Sequence, residues 1–199
     1  IRFGSILENV VLDETTRERL AALGGDPGFA IRHASQVVGM GESPAIALRS
    51  KPDSSISSML AALKAGQAGA AVSMGNTGAV VAGATLGLGT LTGVKRPGIA
   101  VTIDLTGHPL TILDMGANAA PKPEHLYQYG VMGSVYMRDC LGKTTPRVGL
   151  LNIGEEEGKG TDLYKEAYPL LKSSNLLFVG NLEGNDLFLD KADVVVVDG

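Results

Sequence analysis

The amino-acid sequence predicts an α/β fold, layered α/β/α, in which helices cover a largely parallel sheet. Short apolar segments such as Arg147–Asn152 and Val194–Val197 alternate with longer segments of helical periodicity, which is typical of strands buried on both faces. Polar, glycine-rich loops follow several of these apolar segments. No repeat, low-complexity tract or linker divides the 199 residues. We therefore expect a single α/β domain over residues 1–199.

Capping residues and apolar periodicity predict the elements of the first half of the chain. Asp13 can cap a helix, and Gly24 and Gly25 can end it. Ile56 and Leu60 recur at helical spacing. The predicted elements are a helix at Asp13–Leu23, a strand at Phe29–His33, a loop at Met40–Pro44, a helix at Ser54–Gly66, a strand at Ala68–Ser73 and a helix at Ala79–Leu91.

The second half has clearer signals. Pro123 suits the first turn of a long helix, and Thr106–Pro109 suits the connection of a hairpin. The predicted elements are strands at Ile99–Asp104 and Leu110–Asp114, a helix at Pro123–Leu141, a strand at Arg147–Asn152, a helix at Thr161–Ser173, a strand at Leu176–Val179, a short helix at Asn185–Phe188 and a strand at Val194–Val197. Because the chain opens on a strand end at Ile1–Gly4 and closes directly after a buried strand, we expect a fragment truncated at both ends.

The composition excludes several classes of function. A net charge of −4 without a basic cluster argues against nucleic acid as a partner. No apolar run is long enough to span a bilayer, and no segment resembles a secretory signal. The single Cys140 excludes an internal disulfide and fits a reducing cytoplasm, and we expect it to be a packed core thiol. His33 and His108 lack metal-ligand spacing, so we predict no metal site.

Five polar loops are predicted at the carboxyl edge of the sheet, where open α/β sheets bind their ligands. They are Ser73–Gly78, Asp114–Asn118, Asn152–Glu156, Gly180–Asn181 and Asp198–Gly199. One such loop is ordinary, but five at the same edge indicate a site.

The first loop, SMGNTG, allows two interpretations. Its successive backbone N–H groups at a helix start are a favourable place for an anion. Asn76 or Thr77 can equally cap the helix and satisfy those N–H groups. The loop has neither the Walker A pattern nor the dinucleotide-binding glycine spacing, so both interpretations stay open.

The segment DMGANAAPKPEH contains the residue types of an anion site. Asp114 ends a strand, Gly116 allows close approach of the backbone, and Asn118 offers both a donor and an acceptor. Lys122 and His125 flank the next helix start, where a cation and an imidazole can hold a phosphate. Alternatively, His125 is a partly buried capping residue and Lys122 is a solvated surface charge.

The segment EEEGKG, residues 155–160, follows a predicted strand. Lys159 stands between two glycines and can swing onto a ligand. The alternative is an ordinary solvated loop of three glutamates and a lysine.

Several of these segments belong to one larger pattern. They are SMGNTGA at 73–79, LDMGAN at 113–118, KPEHLYQYGVMGSVY at 122–136, PRVGLLNIG at 146–154, FVGNLEGNDL at 178–187 and ADVVVVDG at 192–199. In order and approximate spacing they resemble the bacterial phosphate acyltransferases of phospholipid synthesis, from about residue 36 to the end. Two glycine-rich segments of that family, one on its first strand and one after its terminal Asp-Gly, are absent from this sequence.

The resemblance implies a fold similar to isocitrate and isopropylmalate dehydrogenases and to phosphotransacetylases. It implies a homodimeric, cofactor-free enzyme that converts acyl-[acyl carrier protein] and inorganic phosphate to acyl phosphate, the first step toward bacterial phosphatidic acid. A membrane glycerol-3-phosphate acyltransferase would consume the acyl phosphate. The enzyme would be cytoplasmic, with peripheral membrane association through parts absent from this chain.

The resemblance also implies roles for the candidate residues, because a protein that directs phosphate onto a thioester must bind a dianion and stabilise an oxyanion. Lys159 would offset charge in the transition state. Asn118 or Asn152 would donate to the oxyanion, and Lys122 or His125 would protonate or pair with the leaving thiolate. The predicted phosphate- and substrate-binding residues are Ser73, Gly75, Asn76, Thr77, Gly78, Asp114, Gly116, Asn152 and Gly154.

Three alternatives remain open from the sequence. One is a phosphate acetyl- or butyryltransferase that uses acyl-coenzyme A. Another is an NAD(P)-dependent decarboxylating dehydrogenase of similar fold, although Asp104, Asp114 and Asp198 have unsuitable spacing for its Mg²⁺ cluster. The third is a non-enzymatic anion-binding module.

Overall fold

The computed structural model describes residues 9–12, 18, 19, 22, 30–105 and 107–199. The chain falls into two compact units, Ile1–Leu91 (unit 1) and Thr92–Gly199 (unit 2), and each is considered separately. The helix predicted at Asp13–Leu23 lies outside the described residues apart from three positions, and the strand end predicted at Ile1–Gly4 lies wholly outside them. The single domain expected over residues 1–199 stays a prediction.

The described part of unit 1 contains a two-stranded parallel sheet, and three helices follow it in residues 34–91. Strand β1 (Asn9–Leu12) pairs with β2 (Ala30–His33). The helices are α1 (Pro44–Ser50), α2 (Ser55–Lys64) and α3 (Thr77–Gly87). Elements β2, α2 and α3 confirm predictions. Helix α1 is not among the predicted elements, although a serine followed by proline is a common signature of a helix start.

Helix α3 packs closely against α2 because it carries a glycine at the contact. A Cβ atom at Gly83 would lie 2.5 Å from Cδ1 of Leu60. The core of unit 1 consists of Val38, Ala47, Ile56, Leu60 and Ala79. The small side chains of α3 therefore serve helix packing.

The strand predicted at Ala68–Ser73 is wrong. These residues have no regular secondary structure, and Val72 is 72% exposed. A strand needs a neighbour to pair with, and no strand in the described part of unit 1 pairs with this segment. Its alanines and glycine also have low β propensity and little surface to bury.

Unit 2 is built on a five-stranded sheet with strand order β3-β4-β7-β5-β6. The strands are β3 (Val101–Leu105), β4 (His108–Leu113), β5 (Arg147–Leu151), β6 (Leu177–Leu182) and β7 (Val194–Val196). Strands β3 and β4 form the predicted antiparallel hairpin, and the remaining neighbours pair in parallel. The predicted α/β class with a largely parallel sheet is confirmed.

The helices of unit 2 also confirm their predictions. They are α4 (Pro123–Leu141), α5 (Asp162–Lys172) and a 3₁₀ helix at Gly184–Phe188. Helix α4 ends where Gly142 adopts a left-handed conformation, with φ of 74°. Among the described residues, no helix combines the length and apolar character needed to cross a membrane.

Helices α4 and α5 cover one face of the sheet. The buried residues on this face are Leu113, Leu126, Tyr129, Met137, Val148, Leu150, Ala167, Leu171, Val194 and Val196. Helix α4 approaches β7 so closely that a Cβ atom at Gly133 would lie 2.5 Å from Cγ1 of Val194. Because α4 follows β4 and runs back across the sheet, its first turn lies at the carboxyl end of β4.

Cys140 is exposed, which contradicts the expected packed core thiol. It lies in the last turn of α4, one residue before the helix ends at Leu141. Cys140 follows the buried Met137 by three residues and so lies on the same side of the helix. The core residues that bury Met137 do not extend as far as the last turn.

An ion pair around a buried carboxylate holds the amino ends of the two central strands together. Asp193 is 3% exposed and accepts hydrogen bonds from the backbone N–H and side chain of Arg147 at 2.7–3.0 Å. The ammonium of Lys143 lies 3.0 Å from the same carboxylate. Burial alone would raise the pKa of Asp193, but the hydrogen bonds from Arg147 and Lys143 outweigh it and lower this pKa to about 2.

Asp193→Asn should lower the free energy of unfolding at neutral pH by about 1.5–3 kcal/mol, because a charged acceptor of several hydrogen bonds is lost. The pKa of Asp193 is lowered from 3.8 in the folded state, so its stabilisation is complete above 3.8 and is lost as the pH falls through about 2. Urea unfolding from pH 7 to pH 2 should show the difference between the two proteins narrowing below about pH 4.

The matched control is Asp139→Asn. Asp139 pairs with Arg138, but both side chains are more than half exposed, so stability should not change. A difference for Asp193→Asn that does not vary with pH would contradict the ion-pair account.

Candidate active site

Three polar loops of unit 2 meet at the carboxyl edge of its sheet, after the neighbouring strands β4, β7 and β5. A Cβ atom at Gly199 would lie 2.6 Å from the backbone oxygen of Asn118, so the loops after β4 and β7 touch. Tyr164 of α5 lies close to Asp198, and burial together with the charge of Asp198 raises the pKa of that tyrosine. In the loop after β5, a Cβ atom at Gly160 would meet both Asn152 of the same loop and Tyr164 of α5. Tyr164 therefore lies between the loop after β5 and the loop after β7.

Asp114 is the fully buried centre of the loop after β4. Its Oδ1 atom accepts hydrogen bonds from the backbone N–H groups of Ile99 at 2.7 Å and Ala117 at 3.1 Å. Its Oδ2 atom accepts from Nδ2 of Asn118 at 2.7 Å. The carboxylate therefore organises this loop from inside, and Gly116 turns the chain above it with φ of 89°.

Both polar atoms of the Asn118 side-chain amide form hydrogen bonds. Its Nδ2 atom lies within 2.7–2.8 Å of three acceptors, namely the backbone oxygen of Pro97, Oδ2 of Asp114 and the hydroxyl of Tyr129. Its Oδ1 atom accepts from Nη1 of Arg96 at 3.4 Å. Burial, with Asp114 close by, raises the pKa of Tyr129 to about 12. The predicted oxyanion role of Asn118 therefore competes with three internal acceptors and stays a prediction.

The start of α4 contributes Lys122 and His125 to the same edge. The backbone N–H of Lys122 donates to Nδ1 of His125 at 3.0 Å, so the imidazole caps the helix as one of the two interpretations requires. Burial, then the charge of Arg96, lowers the pKa of His125 and keeps it neutral at pH 7. Since Nδ1 accepts, the proton resides on Nε2. Lys122 is exposed.

The loop after β5 carries Lys159 and is closed on itself. The Nδ2 atom of Asn152 donates to the backbone oxygen of Lys159 at 3.0 Å, and Oδ1 of Asn152 accepts from the N–H of Ile153. Gly154 is buried beneath the aliphatic part of Lys159, whose Cγ would lie 3.1 Å from a Cβ atom there. Half of the Lys159 side chain is exposed.

The Gly180–Asn181 loop predicted at this edge is wrong, because both residues lie inside β6. Asn181 pairs with Leu150 of β5 in the sheet. Its side chain nevertheless reaches the loop after β5 and donates to the backbone oxygen of Glu156 at 2.8 Å. A cavity of about 420 Å³ beside β6 is lined by Asn181, Glu155 and Lys191 among others.

In unit 1, the loop Ser73–Gly78 confirms the capping interpretation of Asn76. Its Oδ1 atom accepts from the N–H of Ala79 at 2.9 Å, and its Nδ2 atom reaches three backbone carbonyls of residues 39–42. Ser73, Gly75 and Thr77 are exposed. Anion binding at the exposed backbone of this loop stays a prediction.

Two functional candidates are not visible as local motifs. Arg96 is an exposed cation beside Asn118 and His125, and Tyr129 supplies a buried hydroxyl to the same network. The signals available for them are weak. Arg96 precedes the turn-forming pair Pro97-Gly98, and Tyr129 follows His125 by one helical turn. Within the described ranges, no three or more His, Cys, Asp or Glu residues form a cluster suited to a metal ion.

The structure is similar to the EutD phosphotransacetylase from Staphylococcus aureus, with a TM-score of 0.52 and 19% identity over 96% of this chain and 59% of that chain. This likeness defines the class of the fold, which is phosphotransacetylase-like. A family model described as fatty acid synthesis protein matches residues 20–199, and the chain belongs to that family.

Relatives of the chain include proteins that have the name phosphate acyltransferase. Those of Nitratidesulfovibrio vulgaris (strain DP4), Heliobacterium modesticaldum and Elusimicrobium minutum are 49%, 46% and 44% identical over 168, 179 and 189 residues. The matches cover 84%, 90% and 94% of this chain, and 49%, 53% and 55% of the relatives. The chain thus spans about half the length of the curated relatives it matches.

Proposed function

We propose that the protein is a phosphate acyltransferase that transfers an acyl group from acyl-[acyl carrier protein] to inorganic phosphate. The observation that supports this most is the meeting of three polar loops at one sheet edge, in a chain 44–49% identical to proteins named phosphate acyltransferase. Membership of the family favours acyl transfer over the dehydrogenase and the non-enzymatic alternative.

The proposed reaction forms one bond and breaks one. A phosphate oxygen attacks the thioester carbonyl carbon, the carbon–sulfur bond breaks, and the thiolate takes up a proton. The products are acyl phosphate and the free thiol of the carrier protein. The protein therefore has three tasks: to hold phosphate, to stabilise the oxyanion and to supply the proton.

Phosphate binding is assigned to the positive surface at the start of α4. Arg96 and Lys122 are exposed cations there, and the first turn of the helix adds partial positive charge. Asp114 and Gly116 act by shaping the adjacent loop, since the carboxylate is buried. In unit 1, the exposed backbone and hydroxyl groups of residues 73–78 are proposed as a further phosphate- or substrate-binding segment.

The remaining two tasks fall to Lys159, the asparagines and His125. Lys159 would offset negative charge in the tetrahedral transition state, beside Gly154. Asn152 is the freer of the two candidate oxyanion donors, because its Nδ2 atom donates to one acceptor whereas that of Asn118 meets three. Neutral His125, with its proton on Nε2, suits protonation of the thiolate, and Lys122 is the alternative.

The proposal also includes where and with whom the enzyme works. It would act as a homodimer in the cytoplasm, receive acyl chains from acyl carrier protein and use no cofactor. Acyl phosphate is reactive and carries a lipid chain, so a glycerol-3-phosphate acyltransferase of the membrane would consume it. Peripheral contact with the membrane would bring the two enzymes together.

The function is tested with protein expressed from its complete reading frame, incubated with acyl-[acyl carrier protein] and phosphate. Acyl phosphate is trapped with hydroxylamine, and a reaction without phosphate corrects for direct attack on the thioester. We expect phosphate-dependent hydroxamate from the carrier-protein thioester and much less from acyl-coenzyme A. Turnover of acetyl- or butyryl-coenzyme A alone would assign the alternative acyltransferase, and no product from either donor would refute acyl transfer to phosphate.

Lys159→Ala should lower the rate of acyl phosphate formation by about 10²–10³, because one charge-stabilising donor is lost from the transition state. The measurement is kcat for acyl-[acyl carrier protein] at saturating phosphate. Lys165→Ala is the control, since Lys165 is a half-exposed lysine of α5 whose partner is the exposed Asp162. A parental rate in Lys159→Ala would remove Lys159 from the mechanism.

A further inference from the structure

Asn181 is a buried polar residue of β6 that contacts the turn carrying Lys159. The residue is 6% exposed, and its Nδ2 atom donates to the backbone oxygen of Glu156 at 2.8 Å. The same oxygen accepts from the backbone N–H of Lys159 at 3.1 Å. Two hydrogen bonds to one carbonyl therefore connect Asn181 with the backbone of Lys159.

The other polar atom of Asn181 has no partner in the part of the chain that the structure describes. Within the described residues, its Oδ1 atom is buried and accepts no hydrogen bond. A buried acceptor without a partner destabilises the folded state, and a leucine of similar size would avoid that loss. Stability alone therefore does not account for an asparagine at this position.

The other contacts of the turn are more exposed. The Nδ2 atom of Asn152 donates to the backbone oxygen of the exposed Lys159 at 3.0 Å. Glu155 pairs with Lys191 at 2.8 Å and Glu157 pairs with Lys172 at 2.9 Å, but each of these side chains is at least 41% exposed. Exposed ion pairs contribute little in water. Asn181 is thus the buried anchor of the turn.

We infer that Asn181 is a positioning residue that sets the place of Lys159 during acyl transfer. It acts through the backbone oxygen of Glu156, to which both residues donate. The inference rests on the proposed function, in which Lys159 stabilises the transition state. A displacement of about 1 Å at a reacting group can lower a rate by about 10²-fold.

Steady-state kinetics on the protein from the complete reading frame tests the effect on catalysis. Asn181→Leu should lower kcat by about 10–100-fold, leave the KM for phosphate within about twofold and leave Tm equal or higher. In the Lys159→Ala background the same change should have no further effect on kcat. The matched control is Asn185→Leu, an exposed asparagine of the 3₁₀ helix, with kcat unchanged.

Amide hydrogen exchange tests the positioning without any assay of activity. The N–H of Lys159 should exchange at least about tenfold faster in Asn181→Leu than in the parent, and at the parental rate in Asn185→Leu. Unchanged exchange overturns the inference, whether or not the protein makes acyl phosphate. An equal loss of kcat from Asn181→Leu in the parent and in Lys159→Ala also overturns it, since Asn181 would then act independently of Lys159. Failure of the proposed function would instead show as an inactive parent.

Discussion

The buried carboxylate of Asp114 is the constraint on which the candidate site depends. A charge removed from water is strongly destabilising unless donors replace its hydration. Here the donors come from both sides of β4: the N–H of Ile99 before it, and the N–H of Ala117 and the amide of Asn118 after it. Satisfying one carboxylate therefore brings the segment with Arg96 and the loop after β4 to the start of α4.

A second buried carboxylate works at the opposite edge of the same sheet. Asp193 ties β7 to the first residue of β5 through Arg147, and three fully buried valines of β7 continue from there toward the site. Helix α4 lies directly on β7 at Gly133. The central strand β7 thus carries an ion-paired residue before its first valine and, after its last, the loop that touches Asn118. Because the ion pair of Asp193 lies at the opposite end of the strands from the candidate site, the loops of the site can be polar without loss of the fold.

Much of unit 2 could be predicted because its signals are local. Pro123 marks a helix start by itself, and continuous apolar runs mark buried strands. The strand predicted at Ala68–Ser73 failed because a strand depends on a partner, which local sequence does not contain. Gly180 and Asn181 are residue types that are common in turns, which favours a loop at this point of the chain. Pairing with β5 nevertheless keeps both residues in β6. Arg96 joins the site only through the fold, since its neighbour Asn118 is distant in sequence.

The most direct test of the central role of Asp114 is the variant Asp114→Asn. Two quantities are measured, namely the free energy of unfolding and the NMR resonances of the backbone amides. The amide group of the introduced asparagine would place its N–H donors against the Nδ2 donor of Asn118, which now donates to the carboxylate. We expect the free energy of unfolding to fall by about 1–3 kcal/mol and the N–H resonances of Ile99 and Ala117 to shift. Asp104→Asn, at an exposed position of β3, should change neither stability nor those resonances. Equal behaviour of the two variants would contradict the account.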